Sequence, residues 1–323
     1  GRMSKAQDWL AQALEYAQKS DDERVLAYAR IMCGQLALLQ GNLVDAEESL
    51  EWAMEVFERT SHQRGLWLAV PQWAETLRYQ GRFSEALAML YRQLPEARSS
   101  HVPLHYLQIL LAIARCEIDL CRLGKAQECV DELEVNIRRG EHLSLRLDTM
   151  MVKGRILILS GQYRKALAVL QEAHERARSA ELPVIYEYAR SLMAEALWGL
   201  KSKEQAAGMF ESACLGLLAT GNFAAVVLAS ISWAHGMSGQ ANPDTIFLSI
   251  EKLIEDQPFL VVRIERMLSA GQFYNKKKAR VKSRYHFKKA SEILEQISEH
   301  LNDTDRAALR VHPWSVQIRA GIR

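Results

Sequence analysis

Residues 154–173, GRILILSGQYRKALAVLQEA, decide the fold. Gly154 is small, Leu157 is bulky, and Gly161 falls just past an apolar helical period; Ala166, Leu170 and Ala173 then open a second one. A glycine beyond the last periodic residue relieves the left-handed backbone of a helix end, so the stretch is two helices meeting across a tight turn. The pattern recurs every 40 residues in both directions. Gly1, Gly41, Gly81, Cys121, Gly161, Lys201 and Ala241 form the turn column. Five places later stand Ala6, Ala46, Ala86, Ala126, Ala166, Ala206 and Ile246, and nine places later Leu10, Leu50, Leu90, Val130, Leu170, Phe210 and Ile250. Seven places before the turn come Gly34, Ala74, Ala114, Gly154, Ala194, Ala234 and, after a three-residue contraction, Gly271. Small residues there let the two helices of a hairpin approach closely. A fixed period of this size marks a stacked solenoid, in which each unit buries its apolar face only against its neighbours.

These columns resemble the tetratricopeptide repeat family. Gly154, Leu157, Gly161, Ala166, Leu170 and Ala173 follow that family's order of small, large, turn, alanine, large and alanine. The resemblance spans residues 1 to 297 and rests on many copies in phase. The common unit is about 34 residues, so six more here lengthen the helices or the loops. It is similar to the longer variants in large bacterial signalling and regulatory proteins. The expectation is an all-α, right-handed superhelical solenoid of about seven hairpins over residues 1–300, followed by a capping helix and tail over 301–323.

Composition agrees. Hydrophobic residues make up 49% of the 323, ample for a continuous core, and repeats grow by addition without dividing into domains. Pro103 and Pro183 fall where first helices should start, and proline in a first turn loses no needed hydrogen bond. Pro71 and Pro95 lie inside helical patterns and predict local kinks. Gly1 to Ala17 reads as the turn and second helix of a unit whose first helix is absent, which suggests truncation at the amino terminus. After His300 the period stops; Asn302 to Asp305 is a helix-start signal, and Trp314 and Ile318 are expected to fold back over the last hairpin. No apolar run is long enough to span a membrane and no signal segment is recognisable, so a cytoplasmic location is expected.

Catalytic patterns are missing. The sequence has no glycine-rich phosphate loop, no paired-histidine zinc helix and no nucleophile elbow. Cys33, Cys116, Cys121, Cys129 and Cys214 lack paired spacing and read as structural thiols. The reading is therefore a protein that is not an enzyme, with no cofactor and no metal.

Binding is to be sought on the first helices, which the family resemblance places on the concave wall. Six places before the turn stand Gln35, Glu75, Arg115, Arg155, Glu195, His235 and Gln272, every one polar. Ten places before it stand Ile31, Pro71, Leu111, Met151, Ser191, Ile231 and Leu268, expected as an apolar strip beside the polar one. Arg78, Asp119 and Trp198 lie a turn further on, and Tyr28 and Tyr188 thirteen before the turn. Arginine's planar fork suits a carboxylate or phosphate, and Trp198 and Tyr188 are candidate anchors. The expected activity is protein or peptide binding in this groove, in bacterial signalling or regulation. The alternative is a small-molecule sensor within a larger ATPase, kinase or transcription regulator.

Charge is uneven. Residues 259–323 carry a balance of +8 within a total of +2. Lys276, Lys277, Lys278, Arg280, Lys282 and Arg284 form a basic run that reads first as a solubilising edge of the last hairpin, ahead of an acidic protein partner, with nucleic acid last. No membrane partner is expected, and oligomeric state is left open.

Overall fold

A computed structural model describes residues 2–100, 102–137, 142–221 and 258–322. Among them are 15 helices and no strand. Second-type helices are α1 (Arg2–Gln18), α3 (Leu43–Arg59), α5 (Phe83–Ser99), α7 (Leu123–Asn136), α9 (Tyr163–Ser179), α11 (Lys203–Thr220) and α13 (Arg280–Glu299). First-type helices are α2 (Glu23–Gln40), α4 (Gln63–Tyr79), α6 (Pro103–Asp119), α8 (Leu143–Leu159), α10 (Pro183–Gly199) and α12 (Leu260–Lys276). Two short helices follow, α14 (Asp303–Val311) and α15 (Pro313–Ile322). Consecutive helices pair from α1 to α11, as do α12 with α13, and the first helices from α2 to α10 also pack each on the next, so the hairpins stack into a solenoid. Most helices are 17 residues long with linkers of about three, so the long period is spent on helix.

The turn column is left-handed at every described copy. Gly41, Gly81 and Gly161 have φ of 82, 78 and 72°, and Cys121, Lys201 and Lys278 take 53, 67 and 58° without the freedom of glycine. The residue after each turn donates its N–H back across it, as from Gln162 to the Leu157 carbonyl at 2.8 Å and from Ser202 to that of Leu197 at 3.0 Å. These bonds close the helix end and start the next helix in a fixed direction.

Direction alone does not hold a hairpin together. A β-carbon added at Gly34 would stand 2.7 Å from Leu50 Cγ, at Gly154 2.5 Å from Leu170 Cδ2, and at Gly271 3.0 Å from the Phe287 ring. Ala74, Ala114 and Ala194, the other described members of the column, are fully buried. The small residue of one helix is thus the seat of the large residue of its partner, and Leu50, Leu90, Val130 and Leu170 are 0% exposed. Pro103 and Pro183 open α6 and α10. The kinks expected at Pro71 and Pro95 do not divide their helices: α4 and α5 run on as single 17-residue helices. Pro71 is itself buried, and packing on both sides offsets its missing N–H.

The array closes on itself. Phe259 meets the Tyr79 ring edge-on at 5.5 Å between centroids and packs with Leu38, Leu43 and Ala46. Ile297 lies so near the Gly81 turn that a β-carbon there would stand 2.7 Å from its Cγ1. Buried Asp305 is held by Ser84 and Arg122, more than 180 residues away in sequence, and the Asn302 N–H donates to Ser84 Oγ at 3.0 Å. The Asn302 side chain caps α14 by accepting from the Asp305 N–H, and Trp314 and Ile318 of α15 are 6% and 4% exposed. The final helices therefore pack across the second and third hairpins.

Two substitutions check this arrangement. Gly154→Ala should destabilise by about 1–3 kcal/mol through overpacking against Leu170, with part of the loss recovered by adding Leu170→Val, as read by chemical denaturation. Lys201→Gly should instead stabilise by about 1 kcal/mol, because it removes a β-carbon from a left-handed turn, while Gly161→Ala should cost a similar amount.

Candidate functional site

Four successive first helices present their polar columns to one inner wall. Arg78 of α4 grips Glu75 with two hydrogen bonds of 3.1 and 2.7 Å and reaches Asp119 of α6 at 2.5 Å. Arg115 of α6 lies 3.9 Å from Glu75 and donates to Asp148 of α8 at 3.1 Å. Arg155 of α8 pairs with Glu195 of α10. Charged residues one repeat apart thus bridge neighbouring helices, and the ladder runs from α4 to α10. The Tyr188 phenol stands among the charges of Arg155, Arg115 and Arg78.

The final helices form the opposite side. Glu265 of α12 faces Arg155, Asp119 and Glu195 and is hydrogen-bonded by Trp314 of α15. His312, 4% exposed, is hydrogen-bonded to the backbone of Asp119. Among the described residues carboxyl groups outnumber guanidiniums in this lumen: Glu75, Asp119, Asp148, Glu195 and Glu265 against Arg78, Arg115 and Arg155.

Protonation follows from the crowding. Burial would raise Glu75, but the charges of Arg78 and Arg115 and hydrogen bonds from Arg78 and Tyr79 hold it down at about 2. For Glu265, burial and the like charges of Asp119 and Glu195 outweigh Arg155 and Trp314, and its pKa rises to about 7. Burial pushes the Tyr188 phenol up and takes His312 down to about 4. Arg78 is only 9% exposed and satisfied on both sides, so it braces the wall. Arg115 and Asp148, each 33% exposed, and Arg155 and Glu195, at 27% and 21%, keep an open edge.

The remaining expected residues are placed differently. Tyr28 accepts or donates a 2.8 Å hydrogen bond with His62 and packs on Phe57, at the far end of α2 from the turn. Gln35 is half-buried one repeat before Glu75. Trp198 packs, partly buried, against the cluster of Ala194, Leu197, Ala206 and Phe210, with Lys203 5.6 Å over its ring. His235 lies outside the described residues, as does Ile231. Lys276, Lys277, Lys278, Arg280, Lys282 and Arg284 are all exposed at the α12–α13 turn, where Lys277 sits over Phe273 and Lys282 over Tyr274.

One expectation is corrected. The apolar strip ten places before the turn does not line the groove: Ile31, Leu111, Met151, Ser191 and Leu268 are 6% exposed or less, and Pro71 is buried too. At about 100° per residue this position lies some 40° to the core side of the polar column, and it fills the seam between adjacent first helices. The position thirteen before the turn is about 20° off on the other side and does reach the lumen. Asp148, Tyr188 and Glu265 share it. Following that column through every repeat, rather than for its tyrosines alone, would have found Asp148 and Glu265.

Comparison with solved structures places the fold. A Rap protein complexed with competence and sporulation factor superposes with a TM-score of 0.65 at 16% identity, covering 99% of this chain and 95% of that one. The apo form of RapI gives a TM-score of 0.60 at 12% identity, over 84% of this chain and 99% of its own. A tetratricopeptide repeat protein from Parabacteroides merdae gives 0.44 at 17% identity, over 85% and 99%. No family model matches the sequence, and no curated protein matches it. The chain has the helical-repeat fold of tetratricopeptide-type solenoids, and its architecture is similar to that of Rap proteins. Among the described residues no helix is long and apolar enough to cross a membrane.

The lumen generates a pH test. Glu265 has a raised pKa in the folded state, so the stability it confers is fully present below the carboxylate's unfolded value and is lost as pH rises through about 7. Between about pH 5 and 8 the protein should lose on the order of 1–3 kcal/mol from this group. Glu265→Gln should flatten that slope in denaturation curves taken at both ends of the window.

Proposed function

We propose that this protein is a non-enzymatic interaction module that holds a peptide, or an extended segment of a partner protein, along the concave wall. The observation that carries the reading is the ion-pair ladder itself. Arg115, Asp148, Arg155 and Glu195 come from successive helices and keep part of their surface open. These pairs are one-fifth to one-third exposed, so water reaches them and exchanging them for pairs with a ligand costs less than opening the enclosed pairs of Arg78. A rigid wall that repeats a polar group at every hairpin suits an extended ligand, which is read side chain by side chain.

Charge selects the ligand further. Among the described residues Glu75, Asp119, Asp148 and Glu195 stand against Arg78, Arg115 and Arg155, and Glu265 adds a further charge once it ionises near pH 7, so the wall favours a segment carrying Lys or Arg side chains. A solved Rap protein of similar architecture is complexed with competence and sporulation factor, which supports reading this fold as one that holds a bound factor. The exposed basic turn at Lys276–Arg284 acts as a solubilising edge under this proposal and takes no part in ligand binding. We further assign the module to a signalling or regulatory assembly, where a reversible ligand would be exchanged.

The test is selection of peptides from a random display library on the immobilised protein. Selected sequences should be enriched in Lys and Arg. Arg155→Ala with Glu195→Gln should weaken their binding by about 5- to 150-fold, the span of about 1–3 kcal/mol typical of meaningful interface contacts, with the melting temperature nearly unchanged. Peptides that bind the double variant as tightly as the parent would move the site off the concave wall.

A further inference from the structure

Seven places after the turn column each second helix points a side chain outward. The row reads Asp8, Glu48, Ala88, Glu128, Ala168 and Gly208, every one exposed and either acidic or small, until α13 puts Tyr285 there. Three places further on the row is Ala11, Glu51, Tyr91, Asp131, Gln171 and Glu211, without a cation, until α13 puts Lys288 there. The fold itself asks for neither change. Arg280, Val281 and Arg284 complete the patch: with Tyr285 and Lys288 they fall within about 140° of the helix circumference, away from buried Ser283, Phe287 and Ala290. Val281 is 86% and Tyr285 58% exposed, one helical turn apart.

Charge at this end of α13 is arranged against the helix rather than for it. α3, α5 and α11 place Asp45, Glu85 and Glu204 in their first turns, where a carboxylate meets the positive end of the helix dipole. The first turn of α13 holds no acid; Arg280 and Lys282 lie there, after Lys276, Lys277 and Lys278. Among the described residues no ion pair engages Lys278, Arg280, Arg284 or Lys288. Solubility accounts for charge here, but not for an aliphatic and an aromatic side chain standing in the midst of it.

We propose that this face docks an acidic helical segment of a partner protein, at a surface separate from the concave wall and independent of what the wall binds. An apolar side chain of that segment lies over Val281 and Tyr285, and carboxylates flanking it pair with Arg280, Arg284 and Lys288, which makes an apolar centre inside a charged rim. Charge complementarity commits the occupant to an acid. Nucleic acid fits less well, because a phosphate backbone leaves Val281 uncovered. Residues 1–258 also carry −6, the total of +2 less the +8 of residues 259–323, so a long polyanion running off the patch meets repulsion. A short segment stays on α13.

The probe is a fluorescent helical peptide of about four turns, built from Glu and Ala with two Leu one turn apart, and added to the intact protein at low salt. It should bind in the micromolar range, and replacing both leucines with Ala should weaken it about ten-fold or more. Val281→Ser with Tyr285→Ser should cost a similar factor, with the melting temperature nearly unchanged because both side chains are already in solvent. Arg284→Gln with Lys288→Gln should weaken binding and flatten its dependence on salt. Arg155→Ala with Glu195→Gln should leave it untouched, which separates this surface from the concave wall. Equal binding of the leucine-free peptide would overturn the proposal, and so would the absence of binding at millimolar peptide. Displacement of the peptide by duplex DNA of the same length would overturn it too, in favour of nucleic acid.

Discussion

Every hairpin depends on one contact: a residue with little or no side chain in the first helix receives a large apolar side chain from the second. Gly34 with Leu50, Gly154 with Leu170 and Gly271 with Phe287 are the pairs in which no β-carbon intervenes. This contact sets the distance between the helices, and the left-handed turn sets their direction. With both constrained at each copy, a stack has little freedom in how it coils. The course of the superhelix over many hairpins is the sum of one local geometry repeated.

That sum brings the final helices back onto the second and third hairpins. Phe259 lands on Tyr79, Ile297 on the Gly81 turn and Asp305 on Ser84 and Arg122. Closure converts a concave wall into a lumen, and the change of environment explains the protonation there. Glu75, gripped by arginines, stays ionised far below its ordinary range, whereas Glu265 enters from the facing side among carboxylates and is raised to about 7. Opposite shifts in two glutamates of one site follow from which charges the fold places beside each.

The ladder also divides its arginines by role. Arg78 is enclosed, with Glu75 and Asp119 on either side, and removing it would strand two carboxylates in a poorly hydrated seam. Arg115 and Arg155 carry similar pairs at the open edge, where water screens them and exchange with a ligand is inexpensive.

The hairpin, its turn and its packing columns were legible in the sequence because each depends on contacts within 20 residues, and such local rules repeat with the period. Even the contraction that brings Lys278 into the turn column is visible from Gly271, Ser283 and Phe287. The polar column through Glu75, Arg115, Arg155 and Glu195 was legible for the same reason. The tertiary structure alone decided that these residues pair with one another, that the apolar row through Leu111 and Met151 faces the seam between helices, and that Glu265 and Trp314 close the lumen. A helical period gives an angle but not the neighbour found at that angle. Contacts such as Asp305 with Ser84, more than 200 residues apart, arise from small rotations accumulated over the whole stack, which no single repeat records.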